Sequence, residues 1–346
     1  MSGSVPRAVP THSNNSGRGA TTIRTPGIVR IAAILMDTGT FLERDSMNHG
    51  FEYEEQLGDG AAGLRLLDYL SGRYRHSSRD LWRQRIESGL VLVEGRTASP
   101  ETFLQAGWDV VWKRPPWREP AAPLCFAVLH RDADLIAVAK PAGLPTMPGG
   151  GYLEHTLLSL VSRHDPGAHP LHRLDRGTSG IVLFARTARA RSGVGASWRT
   201  GVVRRIYRGL ISGSPARESF VIDRPIGRIA WPGSHGISAC DPAGRPARTD
   251  VRVLEWRAGT TLVEITIATG RPHQIRIHLA AAGHPLVGEP LYGPGGCPER
   301  PGRARPGEGG YLLHAGELSL PHPRDGRRIS ISCSPSPSLR CRSGLQ

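Results

Sequence analysis

The chain has 346 residues and a formal net charge of +14, from 44 lysine and arginine residues against 30 aspartate and glutamate residues. Its longest apolar runs fall far short of the roughly 20 residues of a membrane-spanning helix, and its five cysteines include no C-x-x-C pair, so the sequence argues against a membrane protein, a zinc domain and a disulfide framework. We therefore expect a cytoplasmic protein with a polyanionic partner, because a strongly positive field attracts phosphates.

The N-terminal part of the sequence divides into two regions. Residues 1–55 are rich in Ser, Gly, Thr and Pro and lack a sustained hydrophobic period, so we interpret them as a disordered extension. Residues 62–114 have the pattern of a compact unit in which two short helices precede two strands. Ser77 and Asp80, three residues apart, are a candidate capping box for the second helix.

The compact unit resembles the alpha-L RNA-binding domain, which was first recognised in a ribosomal protein. The matching positions are Ser78, Arg79, Ile86, Gly89, Val91, Val93 and Gly95. Glu94 departs from the pattern, since the family usually has asparagine before the last glycine. The resemblance implies an RNA-binding role, for which the candidates are Arg73, Arg79 and Arg83 on the two helices. A solvated helix face is the alternative interpretation of these arginines.

The rest of the chain has the pattern of one larger domain. A proline-rich linker is predicted at residues 115–123, the larger domain at 124–333 and a C-terminal tail at 334–346. Short strand patterns dominate the domain, and helices are predicted near residues 155–163, 187–200 and 272–282. This mixture indicates an α+β fold with a mainly antiparallel mixed sheet.

One loop in the larger domain concentrates ionisable side chains. The segment HPLHRLDRGTSG, at residues 169–180, contains a single carboxylate, Asp175, between two arginines. From the residues alone, Asp175 is a structural carboxylate that accepts backbone N–H groups, or a nucleophile or base that an arginine holds in place. A metal site formed by His169, His172 and Asp175 is a third interpretation.

Several separated segments resemble the RluA-type pseudouridine synthases in order and spacing. They are DLIAVAKPAGLP, HRLDRGTSGIVLFART, RRIYRGLISG and TGRPHQIRIHLAAAGHPLVGEPLYG, followed by YLLHAGELSLPHP. The resemblance covers residues 124–333 and implies an enzyme that isomerises uridine to pseudouridine in RNA. Such a reaction breaks the N-glycosidic bond, turns the base within the pocket and joins ribose C1′ to base C5. It therefore implies neither a cofactor nor a metal.

The resemblance also assigns candidate site residues, motif by motif. Asp175 matches the catalytic aspartate, Arg276 the cation that keeps it charged, and Tyr207 the active-site tyrosine that stacks on the target base. The substrate-binding candidates are Arg173, Arg176, Leu313 and His172. For His172 we favour a structural hydrogen bond over proton exchange. Lys140 is expected to support the pocket structurally.

The expected partner is RNA, with no membrane contact, and we expect a monomer. The alpha-L-like unit favours ribosomal RNA as the substrate, and transfer RNA is the alternative. Two other functions stay open: a metal-dependent hydrolase, and a non-catalytic RNA-binding or ribosome-assembly factor that has kept a synthase fold. The presence of Asp175, Tyr207 and Arg276 together favours the enzyme over the binding factor.

Overall fold

The computed structural model describes residues 47–231, 236–299 and 310–342, together with the backbone of residues 34–36. These residues form a small N-terminal sheet and a larger sheet, each with its own hydrophobic core. Among the helices in these ranges, none combines the length and the apolar character that crossing a membrane requires.

The N-terminal unit is a four-stranded antiparallel sheet covered by two helices. Its elements, with the short strand before them, are β1 (Ile34–Met36), β2 (Phe51–Gln56), α1 (Leu66–Arg73), α2 (Arg79–Glu87), β3 (Val91–Val93), β4 (Arg96–Thr97) and β5 (Asp109–Arg114). The strand order is β2-β5-β3-β4. Leu66 and Leu70 of α1 and Trp82 of α2 pack on Val91 and Val110 of the sheet. The apolar faces of both helices therefore close a core of their own.

The structure changes two predictions in this unit. The expectation of disorder up to residue 55 is wrong for the stretch FEYEEQ, which forms β2 and pairs with β5. This strand is almost wholly exposed, so backbone pairing rather than an apolar face holds it in the sheet. The N-cap of α2 is Ser78, whose hydroxyl accepts the Leu81 N–H at 3.2 Å, and not Ser77. The rest of the predicted extension lies outside the described residues, apart from β1 and residues 47–50.

The turn between β3 and β4 explains the departure at position 94. Glu94 and Gly95 both have left-handed backbone conformations, with φ of 49° and 71°. Hairpin turns of this kind need positive φ at both central residues, which asparagine tolerates better than glutamate. The Glu94 carboxylate accepts the backbone N–H of Asp109 at 2.6 Å. This hydrogen bond ties the turn to β5 and helps to offset its backbone strain.

The larger sheet carries the second core. Its domain contains β6 (Phe126–Arg131), β7 (Leu135–Lys140), α3 (Leu157–His164), β8 (His169–Pro170), β9 (Ser179–Ala185), α4 (Ala188–Arg199), β10 (Arg204–Ser212), β11 (Ser219–Asp223), β12 (Ile226–Ile229), β13 (Ile237–Cys240), β14 (Arg248–Arg257), β15 (Thr260–Ile267), α5 (Gln274–Ala281), β16 (Leu313–Pro321) and β17 (Arg328–Ser332). The sheet order is β1-β6-β7-β9-β16-β10-β15-β14-β11, with β17 beside β16 and β8 beside β9. In the described part of the chain, β9 and β16 pair in parallel and the other strand pairs are antiparallel. The predicted α+β class with a mainly antiparallel mixed sheet is confirmed.

The parallel pair at the centre of the sheet depends on a glycine. Gly180 of β9 lies opposite Ala315 of β16 and has a φ of 113°. A Cβ atom at this position would lie 2.2 Å from the Ala315 carbonyl oxygen. Only glycine permits this approach, and the approach brings the loop before β9 next to the start of β16.

The three predicted helices of the larger domain are confirmed as α3, α4 and α5. The start of α5 differs from the prediction, because the helix begins at Gln274 after a left-handed His273 and not at Pro272. The helix is buried on all sides from Gln274 to Ala280, with Arg276 included. The helix therefore carries a charged side chain into the protein interior.

The linker and the C-terminal tail both pack against the larger domain. In the linker, Glu119 accepts hydrogen bonds of 2.8–2.9 Å from the backbone N–H groups of residues 153–155. It also accepts one of 2.8 Å from Asn48 Nδ2, which lies in the segment before β2. In the tail, Leu339 is buried in a small apolar cluster with residues of β10 and β15.

Candidate active site

A cleft of about 380 Å³ opens where the loop before β9, β10, the start of α5 and β16 meet. Five predicted site residues line it, namely Arg173, Asp175, Tyr207, Arg276 and Leu313. They come from four separate segments of the chain, so the fold assembles the cleft. The other lining residues are Leu174, Thr178, Ile267, Gly270, Arg271, Pro272, His273, Gln274 and Ile275.

Asp175 lies in the loop between β8 and β9, which hydrogen bonds fix on both sides. Before it, the Thr146 hydroxyl donates to the Leu174 carbonyl at 2.7 Å and accepts the Leu174 N–H at 3.2 Å. After it, the Thr178 N–H donates to the Asp175 carbonyl at 3.0 Å. The Asp175 carboxylate is 21% exposed, and no residue in the described ranges donates a hydrogen bond to it. It is therefore held in position and open to a ligand.

Arg276 is held by a second carboxylate that the sequence did not single out. Its side chain is 1% exposed, and it donates to Glu289 through Nε at 2.8 Å and through Nη2 at 2.6 Å. The third nitrogen, Nη1, lies 3.8 Å from Asp175 Oδ2 and has no hydrogen-bond partner among the described residues. Burial by itself lowers the pKa of Arg276, but Glu289, Tyr311 and Asp175 together raise it above its ordinary value. The guanidinium is therefore a permanent cation aimed at Asp175.

Tyr207 and Leu313 form the apolar walls of the cleft. Tyr207 on β10 lies opposite Ala315 of β16, and Leu313 at the start of β16 lies opposite Gly209. Both side chains are largely buried, at 9% and 5% exposure. Burial raises the pKa of the Tyr207 phenol, so the hydroxyl is protonated at neutral pH. A flat aromatic ring facing an aliphatic side chain is a suitable environment for a planar base.

Comparisons with known proteins decide the family. A sequence model described as RNA pseudouridylate synthase matches residues 134–281. An uncharacterized RNA pseudouridine synthase of Synechocystis is 43% identical over 276 residues, which cover 79% of this chain and 95% of that protein. The chain belongs to the RluA-type RNA pseudouridine synthases. It is an isomerase that converts uridine to pseudouridine in RNA.

Other similar proteins extend this result. RNA pseudouridine synthase 5 of Arabidopsis thaliana is 34% identical over 348 residues, covering 85% of this chain and 94% of that protein. Ribosomal large subunit pseudouridine synthase D of Nitrosomonas europaea is 34% identical over 291 residues, covering 81% and 83%. The solved structure of human RNA pseudouridylate synthase domain containing 1 superposes with a TM-score of 0.51 at 26% identity, over 64% of this chain and 89% of that one.

His273 is a cleft residue of the synthase to which the sequence analysis gave no role. Its Nε2 lies 3.6 Å from Asp175 Oδ2, and its Nδ1 lies 2.7 Å from the Tyr292 hydroxyl. Because that hydroxyl donates to the Ser238 carbonyl at 2.9 Å, Nδ1 is the donor to Tyr292. Burial lowers the pKa of His273, although Asp175 opposes the shift. The neutral ring then leaves Nε2 without a proton beside Asp175. The motif GRPHQIRIH contains this histidine, but the sequence gave no sign of its contacts.

Lys140 supports the loop that carries Asp175, as predicted. Its ammonium group is buried and donates to the carbonyls of Pro141, Leu144 and Arg176 at 2.9, 2.7 and 3.3 Å. Burial lowers its pKa to about 7, although the charge of Asp175 opposes the shift. All three N–H positions are directed at backbone oxygens, so the amine has a structural role.

Two of the predicted substrate-binding residues lie outside the catalytic cleft. His172 is not among the residues that line the cleft: its Nε2 accepts the Leu183 N–H at 3.0 Å and its ring packs on Trp198, so its substrate-binding role stays a prediction. Burial lowers its pKa to about 3, so the ring is neutral and structural, as the sequence analysis favoured. Arg176 lines a neighbouring cavity, where its Nη1 donates to the Tyr152 hydroxyl at 2.8 Å.

The metal interpretation of the HPLHRLDRGTSG loop fails on geometry. His172 is turned away to Leu183, so the structure does not gather it with His169 and Asp175. In the described ranges, the one group of three potential ligands is Asp132, Asp134 and His322, which is remote in sequence from the loop. Its carboxylates are already engaged by other side chains: Asp134 contacts Arg189 and Arg324, and Asp132 contacts His130 and His322.

The three arginines predicted to bind RNA lie on the surface of the N-terminal unit. Each is paired with a carboxylate: Arg73 with Glu55 at 2.5 Å, Arg79 with Asp68 at 2.5 Å and Arg83 with Glu101 at 3.5 Å. Their role in RNA binding stays a prediction, and these ion pairs reduce the positive charge that they offer to a phosphate backbone.

Proposed function

We propose that this synthase isomerises uridine in ribosomal RNA and that Asp175 is its catalytic carboxylate. The observation that supports the assignment is the pairing of an unbonded carboxylate with an unbonded guanidinium nitrogen, Arg276 Nη1, at 3.8 Å in the cleft. In this arrangement the guanidinium lies beside Asp175 Oδ2 and leaves the carboxylate open to a ligand.

Two other carboxylates of the chain show why Asp175 is the better candidate. Glu289 is also close to Arg276, but its side chain is 1% exposed and accepts four hydrogen bonds, two from Arg276 and two from backbone N–H groups. Asp132, a structural carboxylate, accepts the N–H groups of Asp134 and Leu135. Asp175 has no such bonds among the described residues, so its charge is available to a reacting base or ribose.

Other residues of the cleft are suited to hold the uracil base while it turns. Tyr207 and Leu313 offer apolar contact on which uracil can stack while the N-glycosidic bond is broken. The anion either adds to C1′ or C6 or assists the loss of a 2′ proton, and each variant requires the ionised form. Arg173, which is exposed at the rim of the cleft, is placed to contact phosphates of the flipped nucleotide.

Two observations support ribosomal RNA as the substrate. Relatives named ribosomal large subunit pseudouridine synthase D are 32–34% identical to the chain. The N-terminal unit, with two helices before a hairpin, is compatible with the sequence resemblance to the alpha-L domain that was first recognised in a ribosomal protein. Pseudouridine mapping of total RNA from cells with and without this gene tests the target, and a lost site in transfer RNA alone would contradict it.

The catalytic assignment is tested by Asp175→Asn, which removes the charge but preserves the size of the side chain. We expect a folded protein that binds substrate RNA within roughly a few-fold of wild type and forms no pseudouridine. Tritium release from labelled RNA measures turnover, and a melting curve reports folding. Asp250→Asn, which changes an aspartate paired with Arg248 on β14, is the matched control and should remain active. Clear product from folded Asp175→Asn would overturn the assignment.

A further inference from the structure

A group of aromatic rings and arginines lies at one end of the N-terminal sheet, outside the catalytic cleft. Phe51 and Tyr53 lie on the same face of β2, and Tyr53 pairs with Trp112 of β5. The rings of Tyr53 and Trp112 are stacked, with centroids 5.1 Å apart and planes 17° apart, and Phe51 packs edge-on against Tyr53 at 4.8 Å. Arg85 of α2 and Arg114 of β5 complete the group. We call these five residues the aromatic ledge.

Two rings of the aromatic ledge, those of Phe51 and Tyr53, are exposed to solvent. Phe51 is 45% exposed and Tyr53 is 41% exposed, whereas Trp82, which packs against the inner side of Trp112 at 5.0 Å, is 1% exposed. The helices therefore cover one end of this face and leave the other end open. Adjacent exposed aromatic residues on a folded domain are typical of an interaction surface.

The two arginines of the aromatic ledge differ from Arg73, Arg79 and Arg83, which are each paired with a carboxylate. The Arg85 guanidinium lies 4.5 Å from the centroid of the Trp112 ring, and that of Arg114 lies 3.4 Å from the centroid of the Trp117 ring. Neither forms an ion pair with a carboxylate of the described residues. Their positive charge is therefore not offset locally, which favours an anionic ligand that also has flat faces.

We propose that the aromatic ledge binds unpaired nucleotides of the RNA substrate, with bases stacked on its rings and phosphates beside its arginines. Unpaired bases present π-faces that duplex RNA conceals, and stacking on aromatic side chains tolerates any sequence. The proposal rests on the RNA specificity of the synthase family and does not depend on whether the target is ribosomal RNA.

A continuous series of contacts leads from the aromatic ledge to the catalytic loop. Arg114 stacks on Trp117, and Trp117 Nε1 donates to the Gly151 carbonyl at 2.8 Å. The neighbours of Gly151 line a cavity of about 510 Å³ that also contains Arg176 and reaches Asp175. This cavity therefore lies between the catalytic loop and the segment that Trp117 contacts, on the side from which a bound RNA strand would have to reach the ledge.

Fluorescence anisotropy with the full chain tests the proposal. The probe is a labelled oligoadenylate of about 12 nucleotides, which contains no uridine and therefore cannot be turned over. We expect Tyr53→Ala to weaken its Kd roughly 10-fold, Tyr53→Phe to bind as wild type, and Tyr53→Leu, which keeps apolar area without a π-face, to bind like Tyr53→Ala. Phe103→Ala is the matched control, since Phe103 is 60% exposed in the same unit under Arg65 but lies outside the ledge.

A duplex RNA of the same length separates stacking from charge. We expect Tyr53→Ala to leave duplex affinity within roughly two-fold of wild type, because paired bases cannot stack on the ring. Three outcomes would overturn the proposal. They are unchanged oligoadenylate affinity of Tyr53→Ala, an equal loss of oligoadenylate affinity with Phe103→Ala, and an equal loss of duplex affinity with Tyr53→Ala. Because the probe is not a substrate, none of these outcomes depends on the role of Asp175.

Discussion

The buried pair of Arg276 and Glu289 gives the sharpest prediction about how the site is built. Both side chains are 1% exposed, and two hydrogen bonds join them. Glu289 also accepts the N–H groups of Leu291 and Tyr292 at 3.0 and 3.3 Å, so its carboxylate fixes the segment after it as well. Glu289→Gln preserves the shape of the side chain and one acceptor oxygen, but removes the charge that compensates the guanidinium.

The expected cost follows from leaving a buried cation without its main partner. Removing one member of a buried ion pair costs about 3–5 kcal/mol, and the remaining amide oxygen keeps the loss near the lower end, at about 3 kcal/mol. For a domain of this size, that corresponds to a fall in Tm of about 6–12 °C. The guanidinium should also turn toward Asp175, and a displacement of this kind lowers kcat by about 10- to 100-fold.

Differential scanning fluorimetry and tritium release measure the two effects on the same preparation. Asp250→Asn is the control, because Asp250 pairs with Arg248 where both side chains are exposed, and such a pair contributes about 1 kcal/mol or less. If Glu289→Gln melted like wild type, the surroundings of Arg276 would compensate its charge without Glu289. If it melted lower but retained full kcat, Arg276 would not need Glu289 to act on Asp175.

Two further predictions concern the support of the catalytic loop. Gly180→Ala should destabilise the protein by more than about 3 kcal/mol, because the new Cβ would lie 2.2 Å from the Ala315 carbonyl oxygen. Gly195→Ala in α4 is the control, because the nearest atom to its Cβ would be Arg199 Nη1 at 3.6 Å. It should stabilise the protein by about 0.5–1 kcal/mol, and chemical denaturation measures both effects. Burial lowers the pKa of Lys140 from 10.5 to about 7. Between pH 7 and 10.5, the unfolded state therefore binds one more proton at this residue than the folded state does. The unfolding free energy of wild type relative to Lys140→Met should therefore rise by about 1.4 kcal/mol per pH unit from pH 7 toward 10.5, and a flat difference across that range would contradict the lowered pKa.

Much of the catalytic cleft was predictable because its residues lie within recognisable motifs. Asp175, Tyr207 and Arg276 are far apart in sequence, and the family resemblance brought them to one site, where the structure also places them. Glu289 was missed because its importance comes from one contact with Arg276, which no local pattern encodes. His172 illustrates the opposite case, since its motif position suggested a substrate contact while its ring accepts a backbone N–H inside the fold.

The strands were predictable where the alternation of apolar and polar residues reflects one buried face. In β15, Val263, Ile265 and Ile267 alternate with the polar residues Glu264 and Thr266, and all three apolar side chains are buried in the core. The strand β2 was missed because it is held by backbone pairing and has no buried face to mark its period. The parallel pairing of β9 and β16 could not be predicted either, because it depends on the close approach of Gly180 to a strand more than a hundred residues away in the sequence.

The charge of the group formed by Asp175, Arg276 and Glu289 explains why attraction to RNA has to come from other cations. Asp175 and Glu289 share the single guanidinium of Arg276, so these three groups together carry one net negative charge where the uridine must enter. A polyanionic RNA gains no electrostatic attraction from such a group, and ionised Asp175 repels the phosphates beside the target. The attraction must therefore come from other cations, such as Arg173 and Arg271 in the lining of the cleft, which is consistent with a formal net charge of +14. In the proposed mechanism, the reacting anion Asp175 is thus separate from the cations that attract the substrate.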